Sequence, residues 1–435
     1  MHAEIGDAMN NIKELTGRLN APEKKDRLAA LKELCRLFDT GELKRPETGE
    51  DVNNHIHTTY SFSPYSPAMA VWMAYNAGLK TAGIMDHDSV GGCEEFTEAG
   101  KIAGIMTTVG VECRVKMNST PLSGRKINNP DQESIAYMTL HGIPHGHIGT
   151  AREFFRPYTV ERNKRNRKMT DKINGIIAPY GLHIDFDADI VPISMLPDGG
   201  SITERHILFA LAGKIIEKFG KGKPVLRFLR EDMKVAVSEK VAAFLSDVNN
   251  SMYEYDLLGA LKSDFIEKIY IDADAECPDV KEVLALSRRI GAVSAYAYLG
   301  DVSQSVTGDK KAQTFEDSYI DLLFDTLKEL GFDAVTYMPS RNTREQLRTV
   351  RALCEKYGFF QISGEDINSP RQSFVCLAQR DPEFAHLYDA AFALIGHEIA
   401  ATRDISEGMF SESTCRRFPD LDARIAYFKS LAAIR

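Results

Sequence analysis

Residues 51–92 read DVNNHIHTTYSFSPYSP (51–67), AMAVWMAYNAGLK (68–80) and TAGIMDHDSVGG (81–92). The order is strand, helix, strand: a short segment at Val52–Thr58, a helical piece from Pro67 to Gly78, then the apolar run Thr81–Met85. Such alternation argues for a parallel α/β sheet or barrel. The strand period of two puts His55 and His57 on one face, close enough to share one metal ion. The pair alone is a weak signal. Eleven histidines in 435 positions give about 0.3 HxH pairs by chance, and His145-Gly146-His147 is a second one.

Outward from this stretch, strand-like pieces recur at Ile105–Val111, Ile135–Leu140, Ile266–Asp272, Ala292–Leu299, Phe332–Tyr337 and Phe359–Ser363. Helical patterns at Asp279–Ile290, Phe315–Leu330 and Thr343–Tyr357 fall between the later ones. From 151 to 264 the rhythm breaks into helix-rich chain, with candidates Val160–Tyr180, Ser201–Phe219 and Val235–Asp247. The expected architecture is one α/β barrel over 49–150 and 265–377, interrupted by a helical insertion over 151–264. Helical extensions flank it. Residues 1–48 carry Ile5, Met9, Ile12, Leu15 and then Leu28, Leu31, Leu34, Leu37 at helical spacing. Residues 378–435 carry patterns around Phe384–Ala400 and Leu421–Ile434.

Company strengthens the HxH pair. Asp86-His87-Asp88 follows TAGIM, Glu112 follows TTVGV and Asp366 closely follows FFQIS. In an α/β barrel the residues just past the strands line one rim, where active sites sit. Each carboxylate alone reads as an N-cap or turn residue; several strand ends together point to a shared site. A mixed His/carboxylate set suits Zn, Mn or Fe, so at least one divalent ion is expected.

Composition bounds the rest. The chain is 43% hydrophobic and 26% charged, enough to bury a core. With 53 basic against 62 acidic residues the net charge is −9, which argues against a nucleic-acid-coating protein or a stable nucleic-acid partner. No apolar run approaches the roughly 20 residues of a membrane helix, and the polar N-terminus lacks a signal-peptide pattern. Seven cysteines without a CxxC pair fit reduced thiols and a cytoplasmic setting. The pattern leaves the oligomeric state open.

The motifs NHIHTTYSFSPYSP (54–67), GLKTAGIMDHDSVGG (78–92), GVE (110–112) and SGEDIN (363–368) resemble the PHP (polymerase and histidinol phosphatase) domain. The likeness covers most of residues 51–375. RNKRNRKMTDKINGIIAPYGLHIDF (162–186) and GSITERHILFALA (200–212) resemble the helical insertion of PHP phosphoesterases acting on nucleotide-like substrates. The resemblance implies a distorted seven-stranded barrel, up to three metal ions and hydrolysis of a phosphoester in a small phosphorylated substrate through metal-activated water. It implies a principal ion held by His55, His57, Glu112 and Asp366. A second ion's histidines would fall at Tyr137 and within Ala295-Tyr296-Ala297. A third ion's ligands would fall at His87, Phe62 and Asn368. One set is complete and two are depleted, since tyrosine and asparagine replace imidazole poorly and phenylalanine cannot ligate.

Two outcomes fit: a single-metal hydrolase, or a degenerate relative that binds a phosphate-bearing ligand or partner without turnover. An amidohydrolase-type barrel fits less well, because no barrel-strand lysine stands ready to bridge metals. Asp86 and His87 are the catalytic candidates that complete or orient the rim. Arg205, at a helix start, is the first candidate for substrate binding, with Tyr296 and Asn368 beside it; Tyr60 and Tyr337 are further pocket candidates. His141, His145 and His147 in LHGIPHGHIG could supply a replacement ligand. The run Arg162, Lys164, Arg165, Arg167, Lys168 reads as a solvated helix face or a steering patch. His397-Glu398 reads as a capping or surface pair.

Overall fold

Seven short strands form one sheet in the order β1 (Val52–Ile56), β2 (Thr81–His87), β3 (Met106–Lys116), β4 (Ile135–His141), β5 (Val293–Ala297), β6 (Ala334–Tyr337) and β7 (Phe360–Ser363). This computed structural model describes residues 2–302 and 314–433, with side chains from residue 10 onward, so Ile5, Met9 and Ile434 lie outside the described side chains. All neighbouring strands run parallel except β4, which is antiparallel to both β3 and β5. The sheet curls until its edges meet. His57 N donates to Ile367 O at 2.9 Å and Ile367 N donates to His55 O at 3.1 Å. Gly364 allows that approach, because a Cβ there would stand 2.6 Å from His55 Cβ. The fold is thus a curled, seven-stranded α/β half-barrel.

Register sorts the side chains into two faces. His87, Glu112 and Thr139 lie opposite one another across β2, β3 and β4, and Thr139 lies opposite Ala295 on β5. These point into the barrel. Val111, Met138, Leu140, Tyr296 and Val335 point outward and join the main apolar core beneath the surrounding helices.

Two expectations about the strands are corrected. Ile266–Asp272 is not a strand; its first residues end the helix Tyr253–Ile269, which buries Leu257, Leu261, Phe265 and Ile269. A short apolar run looks the same in a buried helix and a buried strand. Glu112 is also not at a strand end, because β3 continues to Lys116 in its pairing with β4.

The chain between β4 and β5 is helical and builds a second core. Ile148–Ile177, Glu204–Phe219 and Tyr253–Ile269 bring together Met169, Ile173, Leu208, Leu211 and Leu257. Phe62, from the barrel rim, belongs to this core and packs on His206, Phe209 and Tyr255. Buried ion pairs tie the same segment to the barrel. Arg165 Nε contacts Glu276 Oε2 at 2.8 Å, Arg114 pairs with Glu276, Arg162 with Asp88 and Arg165 with Glu204. The basic run is therefore divided: Arg162 and Arg165 are buried, whereas Arg167 pairs with Asp187 at the surface.

Helix His386–Arg403 closes the barrel floor. Its Ala393 and Leu394 pack on Ala295, Ala334 and Ile362. Glu398 is buried and accepts hydrogen bonds from Thr108 Oγ1 (2.7 Å) and Val109 N (2.8 Å), and His145 Nε2 lies 2.8 Å away. The His397-Glu398 pair is thus a floor plug, not a surface pair. The N-terminal helix Lys24–Asp39 docks through Arg27, whose Nε donates to Glu95 Oε1 at 2.8 Å. Among the described residues no helix is long and apolar enough to cross a membrane.

Candidate metal centre

Three imidazoles and two carboxylates converge inside the barrel mouth. His55 and His57 come from β1 and its end, His87 from the end of β2, Glu112 from β3 and Asp366 from the loop after β7. One ligand atom each from His55, His57 and Glu112 fall within 4.8 Å of one another, so these residues could hold a metal ion. Glu112 Oε2 is the hub: His87 Nδ1 lies at 3.0 Å, His55 Nε2 at 3.6 Å and His57 Nε2 at 3.8 Å. Asp366 Oδ1 approaches His57 Nε2 at 3.1 Å from the rim.

The donor chemistry fits a divalent cation. His55 is 8% exposed and His57 is 1% exposed, and Nε2 of each is buried without a hydrogen-bond partner. Orphaned buried polar atoms are costly, and a metal ion would satisfy both. Burial pushes Glu112 up, but His87 and His55 outweigh it and hold the carboxyl below its ordinary range. Asp366 is likewise raised by burial yet held well below the usual carboxylate range by His57. Burial, and then His87, push His57 down, which favours the neutral imidazole a metal requires.

Around the cluster the structure separates the remaining candidates. Asp86 is fully buried and its carboxylate accepts from Thr58 N, Thr58 Oγ1 and Ser61 Oγ, so it braces the turn after His57. His87 is partly open, at 28% side-chain exposure. Arg205 lies in the first turn of Glu204–Phe219 and reaches the rim: its Nη1 donates to Asn368 Oδ1 at 2.5 Å, and Asn368 Nδ2 donates to Asp366 Oδ1 at 2.6 Å. Arg205 and Asn368 therefore stand beside the cluster. Tyr296 does not. It is 1% exposed on the outward face of β5 and packs edge-on to Phe332, which removes it from the substrate side. Tyr337 also faces outward, toward Gln361 and His386. Tyr60 sits under Gly91 and Gly92.

The depleted positions are occupied otherwise. Phe62 serves the helical core. Tyr137 projects into the barrel two residues along β4 from Thr139, which is the residue in register with Glu112, and its ring centroid is 6.0 Å from that of His87. Of the three clustered histidines, His145 serves the floor and only His141 faces the barrel interior. His141 is 1% exposed, neither ring nitrogen has a partner, and burial pushes it down to about 3. Ser61 and Thr58 went unnoticed in the sequence; the signal was the polar run TTYS directly behind HxH.

The chain matches no family model and no curated protein. Among solved structures, a candidate metal-dependent phosphoesterase from Bifidobacterium adolescentis is similar, with a TM-score of 0.50 and 17% identity, over 80% of this chain and 98% of that one. An amidohydrolase from Chromobacterium violaceum, solved with sulfate and no metal, gives 0.48 and 14% identity over 75% and 90% of the two chains. The first likeness bears on the fold alone: the two chains share the curled α/β barrel.

Proposed function

We propose that this chain is a PHP-type metal-dependent hydrolase of a small phosphoester. One observation carries the reading: His55 and His57 present buried, unpartnered Nε2 atoms beside an anionic Glu112. The ion, when bound, supplies Lewis-acid polarisation of a phosphoryl oxygen and activation of a water for attack on phosphorus. His55, His57, Glu112 and Asp366 hold it. Arg205, at the rim, binds phosphoryl oxygens of the substrate, as guanidinium groups do, and Asn368 fixes its aim. His87, partly open and with Nδ1 3.0 Å from the hub carboxylate, is placed to take a proton from the reacting water or give one to the leaving group, with Glu112 as its charge partner. A nucleotide-like substrate is the class that the sequence resemblance favours.

A second reading has the chain binding a phosphate-bearing ligand without turnover. It is favoured by Phe62 and Asn368, whose side chains are committed to packing and to Arg205. Hydrolysis of p-nitrophenyl phosphate, its bis ester and nucleoside monophosphates with added Mn or Zn separates the two. The hydrolase reading expects metal-dependent release that is abolished in His57→Ala. Release that persists in that variant contradicts it, and ligand binding with no turnover under any divalent ion favours the second reading.

A further inference from the structure

The bracing around Asp86 has a directional consequence for His57. Asp86 is fully buried, and three donors converge on its carboxylate: Thr58 N at 2.7 Å and Ser61 Oγ at 2.6 Å on Oδ1, and Thr58 Oγ1 at 2.6 Å on Oδ2. A hydroxyl carries one hydrogen. Ser61 spends its hydrogen on Asp86, so toward any other neighbour it offers only lone pairs. That neighbour is His57 Nδ1, at 3.3 Å. Two lone pairs repel, so the contact is attractive only when Nδ1 carries the proton. The other ring nitrogen, Nε2, faces Asp366 Oδ1 (3.1 Å) and Glu112 Oε2 (3.8 Å), acceptors from which its lone pair is shielded by a bound cation or, without one, by a second ring proton.

We infer that Asp86 and Ser61 form a fixed donor chain that pins the imidazole proton of His57 on Nδ1 and leaves Nε2 as its ion-facing atom. The inference rests on the reading of His57 as a metal ligand. It makes Asp86 and Ser61 positioning residues: neither reaches the substrate, and each acts through His57. The backbone is committed to the same end. Ser61 N and Phe62 N both donate to Thr58 O, at 3.1 and 3.2 Å, and Phe62 takes φ of 113°, a conformation that non-glycine residues rarely adopt. Packing of Phe62 into the helical core holds that turn closed over Asp86.

The test is nitrogen-15 histidine NMR with zinc titration of wild type, Ser61→Ala and Ser61→Thr, with His57 assigned by the signal lost in His57→Gln. A Nδ1–H resonance of His57 is expected in wild type with and without zinc. In Ser61→Ala that resonance is lost, and zinc affinity falls by about 10–100-fold, the usual effect of removing an outer-shell partner. Ser61→Thr, which keeps the hydroxyl, restores both. Absence of the Nδ1–H signal in wild type overturns the inference. So does a Ser61→Ala protein that keeps both signal and affinity, or a Ser61→Thr protein as impaired as Ser61→Ala. If wild type binds no zinc while the signal is present and vanishes in Ser61→Ala, the donor chain stands and the metal reading falls.

Discussion

Arg205 shows how a single side chain can be placed by its neighbours. Its Nη1 is held by Asn368, and Asn368 is held in turn by Asp366, so the guanidinium is fixed at the edge of the His/carboxylate cluster. If it binds a phosphoryl group, Arg205→Ala loses a charged hydrogen bond of about 1.5–3 kcal/mol. The expected result is KM raised by roughly tenfold or more, with ion content per chain unchanged. Steady-state kinetics beside elemental analysis checks this; an unchanged KM removes Arg205 from the substrate side. At this scale the residues that carry chemical type were legible in sequence. His55, His57, Glu112 and Asp366 stand out by company, because each signal alone is weak but several strands offer metal-ligating types to one rim. Tyr296 was misplaced because β5 is buried on both faces, and a strand of that kind gives no polar–apolar alternation to reveal its register. Ser61 was missed because a hydroxyl becomes informative only once its hydrogen has a destination.

Elements show how the cluster is supported from below. Helix His386–Arg403 lies across the barrel floor, and Leu421–Ala432 packs against it so closely that a Cβ on Gly396 would stand 1.8 Å from Phe428 O. Gly396→Ala must push the two helices apart, and overpacking of this kind typically costs about 1–3 kcal/mol, more where backbone is the obstacle. Denaturant unfolding monitors it. A stability loss is expected, and a variant as stable as wild type would mean the two helices are not locked together as described. Most helices and strands between 51 and 100 were readable because their apolar patterns are long and their caps local, as at Ser66-Pro67, where Ser66 accepts from Met69 N. Ile266–Asp272 was not, because only packing decides whether so short an apolar run is helix or strand. Glu398 was read as surface because its partners, Thr108, Val109 and His145, are distant in sequence.

The whole molecule carries buried imidazoles on both sides of the site. Burial pushes His206, in the helical segment, down to about 3, and His397, in the floor helix, down to about 4, from an ordinary value of 6.5. The unfolded chain takes up these protons near pH 6.5, while the folded chain refuses them until about pH 3–4. Their stabilising effect is therefore complete above pH 6.5 and is lost as the pH falls from there toward 4. Buried Glu316 and Asp333, raised to about 7 and about 6, act in the opposite direction, so the expected result from thermal scans between about pH 7 and 4.5 is a difference: Tm falls less, or rises more, with acid in His397→Gln than in wild type. A His397→Gln slope equal to that of wild type contradicts the burial described. The half-barrel with helices inserted after β4 was legible at this scale from the strand–helix rhythm and its interruption. How the helical segment is fastened was not: Arg162 and Arg165 look like a solvated face until their acidic partners, far along the chain, are placed beside them.

Central to the account is a cation held by the imidazoles of His55 and His57 with Glu112. Metal content per chain, measured by elemental analysis on protein purified without chelator and again after Mn or Zn loading, tests it most directly, with His57→Ala and Glu112→Ala alongside. One ion per loaded wild-type chain, lost in both variants, is the predicted result, since Phe62, Asn368 and Tyr296 are engaged elsewhere. A wild-type chain that takes up no ion, or one whose ion survives both substitutions, would contradict it.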